Sequence, residues 1–176
     1  AFFAGYVATV SYWTALTDRT DGRRVYLAGC LLATAGAAGF GLAAHGLASA
    51  MFFQVLLGAG VAGTYMPGLR LLSDRTAGPS QSRYIAFYTS FFGIGFALSL
   101  VLGGALAPGF GWRTAFVVSA TGPICAGWLV MFSIQKAGTA PRPAHAFSFA
   151  TLFPVASWRK VLASRAAAGY TLGYVA

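Results

Sequence analysis

The sequence predicts an all-α integral membrane protein, and three observations support this fold class. Of its 176 residues, 57% are hydrophobic and only 9% are charged, and the mean hydropathy is +0.69. A soluble domain of this length could not bury so much apolar surface in one core. In addition, uncharged stretches long enough to cross a bilayer of about 30 Å recur along the chain. Finally, positive charge is gathered in alternate gaps between these stretches, as cytoplasmic loops require.

The uncharged stretches predict five membrane-spanning helices. They are residues 1–17, 25–44, 49–72, 84–107 and 113–135. The first begins as a helix interior, so we expect the chain to be part of a longer protein. The breaker residues Pro108-Gly109-Phe110-Gly111 separate the last two helices. Proline and glycine then predict a loop at 136–165, and residues 166–176 begin a further helix.

Basic residues predict which loops are cytoplasmic. Eleven of the twelve fall on one side of the membrane: Arg19, Arg23, Arg24, Arg70, Arg75, Arg83, Lys136, Arg142, Arg159, Lys160 and Arg165. Arg113 alone lies on the other side. Because cytoplasmic loops retain Lys and Arg, we place loops 18–24, 70–83 and 136–165 in the cytoplasm.

Several function classes are disfavoured by the residues themselves. The formal net charge of +9 is spread over short gaps, whereas nucleic-acid binding needs a basic surface, so no nucleic-acid partner is expected. Residues 58–63 match a dinucleotide-binding fingerprint, but no acidic residue follows Asp74 to hold a ribose. Cys30 and Cys125 suit core thiols, and both histidines are expected in loops. We therefore expect no cofactor, metal ligand or catalytic residue, and no enzyme.

Small residues within the predicted helices are typical of close helix packing. Gly58, Gly60 and Gly63 lie in the third helix, and Gly95, Ser99 and Gly103 recur at every fourth position of the fourth. Such stripes let neighbouring membrane helices approach each other. Ser99 could alternatively contact a substrate.

The charges near residue 20 allow two interpretations. They could anchor the chain at the membrane surface, or they could form a conformational latch in which Asp18 faces the N-terminal dipole of another helix, fixed by an arginine. The segment Leu16-Thr17-Asp18-Arg19-Thr20 recurs as Leu72-Ser73-Asp74-Arg75-Thr76, which suggests a repeated unit. The predicted latch set is Asp18, Arg19, Arg23, Arg24, Asp74 and Arg75.

Three motifs carry a resemblance to the major facilitator superfamily. Residues 14–24 resemble its signature G-x-L-A-D-R-x-G-R-R, with Thr14 in place of the first glycine and one extra residue before Gly22. Residues 54–63 resemble the fourth-helix pattern R-x-x-x-G-x-G-x-A, with Gln54 replacing the arginine, and residues 111–116 resemble G-W-R-x-x-F. Residues 63–75 are similar to bacterial permeases grouped with cyanate or nitrate/nitrite carriers.

The resemblance implies a twelve-helix carrier that works by alternating access, of which this chain covers helix two to the start of helix seven. It places Gln54, Tyr65, Tyr88, Phe92 and Ser99 as candidates for the wall of the substrate cavity. Gln54 could instead bond a neighbouring helix, and the tyrosines could be interfacial aromatics. We expect a monomer in the bacterial inner membrane, with lipid and a small solute as its partners, a small anion being one candidate. The competing hypothesis is a structural or assembly subunit that transports nothing.

Overall fold

The computed structural model describes residues 1–76, 78–133 and 163–164, and its regular structure there is entirely helical. Five helices follow in order: α1 Phe2–Thr17, α2 Gly22–Ala43, α3 Leu47–Ser73, α4 Gln81–Ser119 and α5 Thr121–Ser133. They belong to a compact unit of residues 1–144, and of the second unit, residues 145–176, only Ala163 and Ser164 are described. Apart from those two residues, the predicted loop at 136–165 and helix start at 166–176 lie outside the described residues.

Three of the described helical stretches are long and apolar enough to cross a membrane. These are Gly22–Ala43, Leu47–Ser73 and the nearly continuous stretch Gln81–Ser133. The 16 residues of α1 fall short of the roughly 20 that span a bilayer core upright. Five separate spans were expected, whereas the fourth and fifth here form one nearly continuous helical stretch.

The break in the last helical stretch differs from the one expected at residues 108–111. The helix runs through Pro108 and departs from helical geometry at Gly111, whose φ of 82° and ψ of 155° favour glycine. A second interruption follows at Ala120, inside the helix expected at 113–135. Pro123 explains it, because proline has no N–H to donate to the carbonyl of Ser119, four residues earlier. We call residues 112–133, on both sides of Ala120, the returning segment.

Helix α3 is the centre of the unit, with α1 and α2 packed along it. The core cluster consists of Trp13, Val25 and Ala62, one residue from each of these three helices. The indole of Trp13 donates a buried hydrogen bond of 2.8 Å to the carbonyl oxygen of Ala59. This bond fixes the position of α1 along the axis of α3.

Glycines in α3 lie directly against neighbouring backbones. A Cβ built on Gly60 would meet the backbone of Ala33 in α2, and one on Gly58 would meet the carbonyl of Phe2 in α1. Gly63 lies against Gly29, with 3.0 Å from its built Cβ to the Cα of Gly29. Only residues without a Cβ permit such contacts between helix backbones, so these three positions bring both neighbours onto α3.

The predicted packing glycines of α4 lie in different surroundings. No described atom comes within 4 Å of a Cβ built on Gly95 or Gly103. Every residue from 89 to 102 is largely exposed, and the ring contact of Phe92 with Tyr65 of α3 is made on a different part of the helix from these glycines. The packing role of Gly95 and Gly103 therefore stays a prediction.

Candidate functional site

The two copies of the repeated segment end their helices in the same way. Asp18 closes α1 and Asp74 closes α3, and both have φ of −70° and ψ of −19°. In each copy the threonine two residues later donates its hydroxyl to a leucine carbonyl: Thr20 to Leu16 at 2.6 Å and Thr76 to Leu72 at 2.8 Å. The echo in the sequence is therefore also a repeat in backbone structure.

Arg70 lies between the two carboxylates of this repeat. Its Nε is 3.3 Å from Oδ1 of Asp74, one turn further along α3, and its Nη2 is 3.6 Å from Oδ1 of Asp18. Each aspartate is at a helix C-terminus, where the dipole disfavours negative charge, and the shared guanidinium offsets that effect. The side chains of Arg70 and Asp18 are 43% and 52% exposed, so the pair contributes at most about 1 kcal/mol.

A cleft of about 260 Å³ opens beside this ion pair, between α1, α3 and the start of α4. Its lining combines Asp18 and Arg70 with three hydroxyl groups and three apolar side chains. The remaining lining residues are Thr14, Thr17, Ser73, Met66, Leu69 and Ile85. A cleft that holds both charges and hydroxyl groups can accept a charged side chain or a helix end from another part of the protein.

The predicted latch residues do not all meet at this pair. Asp18 and Asp74 do, but their common partner is Arg70, which was outside the predicted set. Arg75, just past the end of α3, donates to the carbonyl of Leu71 in that helix at 3.1 Å, and Arg19 and Arg24 are exposed. Arg23 extends away to Met131. The i,i+4 spacing of Arg70 and Asp74 was the sequence signal that could have identified Arg70.

Three of the predicted cavity residues form one aromatic cluster between α3 and α4. The ring of Tyr65 lies 5.8 Å from that of Tyr88 and 5.5 Å from that of Phe92. The Tyr88 hydroxyl donates to the backbone carbonyl of Tyr65 at 3.1 Å and lies against Gly68. Tyr26 of α2 also reaches Gly68, at 3.1 Å from a built Cβ, and no sequence motif pointed to it.

Gln54 and Ser99 lie apart from this cluster. The hydroxyl of Ser99 donates to the carbonyl of Phe96 in its own helix at 2.7 Å. Gln54 precedes Tyr65 by three turns of α3, or about 16 Å of helix rise. It is half-buried and forms no hydrogen bond with the described residues. The five candidates therefore do not share one surface.

The described residues contain no group of three or more His, Cys, Asp or Glu side chains placed to hold a metal ion. The two candidate sites are the cleft lined by Asp18 and Arg70 and the aromatic cluster of Tyr65, Tyr88 and Phe92. Both are suited to binding and to conformational change.

Comparison with protein families gives a match over the whole chain. The model described as Major Facilitator Superfamily matches residues 1–176. The rice protein named "Probable inorganic phosphate transporter 1-9" is 33% identical over 144 residues, which are 78% of this chain and 24% of that protein. The rice "Probable inorganic phosphate transporter 1-10" is 33% identical over 134 residues, 72% of this chain and 24% of that protein.

A fungal relative gives a similar alignment. "MFS-type transporter pgmG" of Aspergillus terreus is 31% identical over 120 residues, which are 68% of this chain and 21% of that protein. The chain thus spans about a quarter of the length of the curated relatives that it matches.

Proposed function

Because this chain belongs to the major facilitator superfamily, we propose that the protein containing it is a secondary transporter that moves a small solute by alternating access. The observation that carries the proposal is the family match over all 176 residues. The long apolar helices supply the membrane-embedded scaffold that this activity requires. The names of the plant and fungal relatives, all of them transporters, agree with it.

We further propose that α1 to α5 belong to the N-terminal half of a twelve-helix carrier, with loops 18–24 and 70–83 in the cytoplasm. The support is the order of the motifs and the distribution of arginine. The bacterial plasma membrane is proposed on the motif resemblance, although the relatives compared come from a plant and a fungus.

A small inorganic anion is the proposed substrate. Two rice relatives are named as phosphate transporters, and residues 63–75 resemble carriers of cyanate, nitrate or nitrite. The aromatic cluster of Tyr65, Tyr88 and Phe92 is the proposed part of the cavity wall that α3 and α4 contribute. Gln54 and Ser99 are proposed as separate substrate contacts, away from this cluster.

Uptake by the full-length protein in proteoliposomes tests this proposal directly. Phosphate, nitrate, nitrite and cyanate should be compared, and one of them is expected to show saturable uptake that protein-free vesicles lack. Folded protein with no saturable flux of any of these anions would contradict the anion proposal. If a broader panel of organic solutes also fails, the structural or assembly subunit becomes the better hypothesis.

The cleft around Asp18 and Arg70 is the proposed cytoplasmic latch. Asp18 holds its arginine loosely, at 3.6 Å and half-exposed, so it can also face a helix end that approaches the cleft. Asp18→Asn should shift the balance between inward-open and outward-open states, measured by labelling of single cysteines introduced on each side. An unchanged labelling pattern would reduce the cluster to a membrane anchor.

A further inference from the structure

Arg113, which lies in α4, caps the C-terminus of a different helix, α2. Its guanidinium donates to the carbonyl oxygen of Ala44 at 2.7 Å and to that of Gly41 at 3.2 Å, at the C-terminus of α2. The last carbonyl groups of a helix have no partner within it, so a cation that binds them replaces missing hydrogen bonds and suits the helix dipole. Trp112 supports this position, since the guanidinium lies 4.9 Å from its ring centroid.

Arg23 makes a comparable contact at the opposite end of α2, with the returning segment. From the first turn of α2, its Nη2 donates at 2.5 Å to the carbonyl of Met131, in the last described turn of α5. Its backbone is fixed by the Asp21 side chain, which accepts from the Arg23 amide at 3.0 Å. The Nε of Arg23 is buried and has no hydrogen-bond partner among the described residues, so this contact is less complete than that of Arg113.

The contacts that lie along α2 from Arg113 to Arg23 show that α2 and the returning segment are antiparallel neighbours. Gly41 lies against the carbonyl of Arg113, and closer to the start of α2 Gly127 lies against Cys30. The start of α2 then meets Met131. Each of the two therefore presents an arginine to backbone carbonyl groups of the other: Arg113 to the end of α2, and Arg23 to the last described turn of α5.

We propose that Arg23 and Arg113 are reciprocal staples that fasten α2 to the returning segment at both membrane surfaces, so that the two move as one rigid body. Charged donors that bind carbonyls at a membrane surface, partly shielded from water, form hydrogen bonds stronger than neutral ones. The staple gives a role to Arg113, the one basic residue predicted to lie on the non-cytoplasmic side. It also gives Arg23 a role separate from the proposed latch, because its guanidinium binds the carbonyl of Met131 in α5.

The native Cys30 of α2 allows the contact between α2 and the returning segment to be tested by disulfide cross-linking. A Cβ built on Gly127 lies 3.5 Å from the Cβ of Cys30, which is within the range that disulfides require. Gly127→Cys in a Cys125→Ser background should therefore form a disulfide with the native Cys30 on mild oxidation. This bond would join the same two helices that the arginines join.

The test compares thermal unfolding of the full-length protein in nanodiscs, with the disulfide reduced or oxidised. Reduced, Arg113→Gln should lower the melting temperature by about 2–4 °C, and Arg23→Gln by less, since its contact is incomplete. Oxidised, both losses should shrink to less than half, because the disulfide replaces the staple. Arg24→Gln is the matched control: it removes the same charge from an exposed neighbour and should change nothing in either state.

Two results would overturn the staple. One is a failure of Cys30 to cross-link in the Gly127→Cys variant, which would show that the pair is not assembled as described. The other is an equal loss of stability in both redox states, which would mean that the arginines act elsewhere. If Arg113→Gln does not fold, Arg113→Lys keeps the charge without the planar fork, and the same comparison applies to it. The experiment measures unfolding and cross-linking and not transport, so its outcome is independent of the proposed function.

Discussion

Gly60→Ala tests the close contact between α2 and α3 on which the rest of the unit is built. The new methyl group would meet the Cα of Ala33 at 2.5 Å and its backbone nitrogen still closer. Both residues are buried, and Ala33 is only 1% exposed, so neither backbone can move without separating the two helices. The substitution therefore forces a shift of whole helices, because no flexible side chain can give way.

The magnitude follows from two opposing effects. Overpacking a core costs about 1–3 kcal/mol, whereas alanine is favoured over glycine in a helix by about 0.5–1 kcal/mol. We expect a net loss of about 1–2 kcal/mol, which corresponds to a melting temperature lower by about 2–8 °C in a unit of this size. Thermal unfolding of the purified protein, followed by tryptophan fluorescence, measures this.

Gly95→Ala is the matched control. It makes the same chemical change inside an apolar helix, but no described atom lies within 4 Å of the new methyl group. We expect a melting temperature equal to that of the wild type or up to about 2–4 °C higher. If Gly60→Ala proves as stable as Gly95→Ala, the close contact of α2 and α3 is refuted.

Three further substitutions test other contacts. Tyr88→Phe removes the hydroxyl that binds the carbonyl of Tyr65 and should cost about 0.5–1.5 kcal/mol in chemical unfolding; no loss would mean that this hydrogen bond does not help to hold α4 on α3. Gly111→Ala places a side chain at a φ of 82° and should cost about 1–2 kcal/mol in the same assay, whereas Gly109→Ala, within the helix before the kink, should not. Arg70→Gln should change the free energy of unfolding by less than about 1 kcal/mol, because its ion pairs are exposed. It should nevertheless shift the cysteine-labelling pattern in the same way as Asp18→Asn. A large loss of stability without that shift would contradict a latch.

The sequence pattern located the apolar helices but not their ends. The uncharged run places the start of the second helix at residue 25, whereas α2 begins at Gly22, because Asp21 caps it and the cap tolerates Arg23 and Arg24 in the first turn. Hydropathy cannot detect such a cap. The breakers at 108–111 likewise predicted one turn, although only Gly111 departs from helical geometry.

Contacts between helices were less accessible to sequence reasoning. Stripes of small residues predicted close packing equally for Gly60 and Gly95, yet only Gly60 meets a neighbouring described backbone. Period-four spacing identifies a face of a helix but not what covers it. The pairing of Tyr65 with Tyr88 likewise depends on the register of α4 against α3, for which one sequence carries no signal.

The repeat shows how a small difference between two similar helix ends can suit them to different tasks. Asp18 and Asp74 share one backbone geometry, and the position equivalent to Arg70 in the first copy is occupied by Thr14. Asp74 therefore has an arginine one turn away in its own helix, whereas Asp18 reaches the same arginine from a different helix and at 3.6 Å. A carboxylate held across a cleft is easier to redirect than one held within a helix, because no local turn fixes it. This asymmetry supports Asp18, rather than Asp74, as the mobile member of the proposed latch.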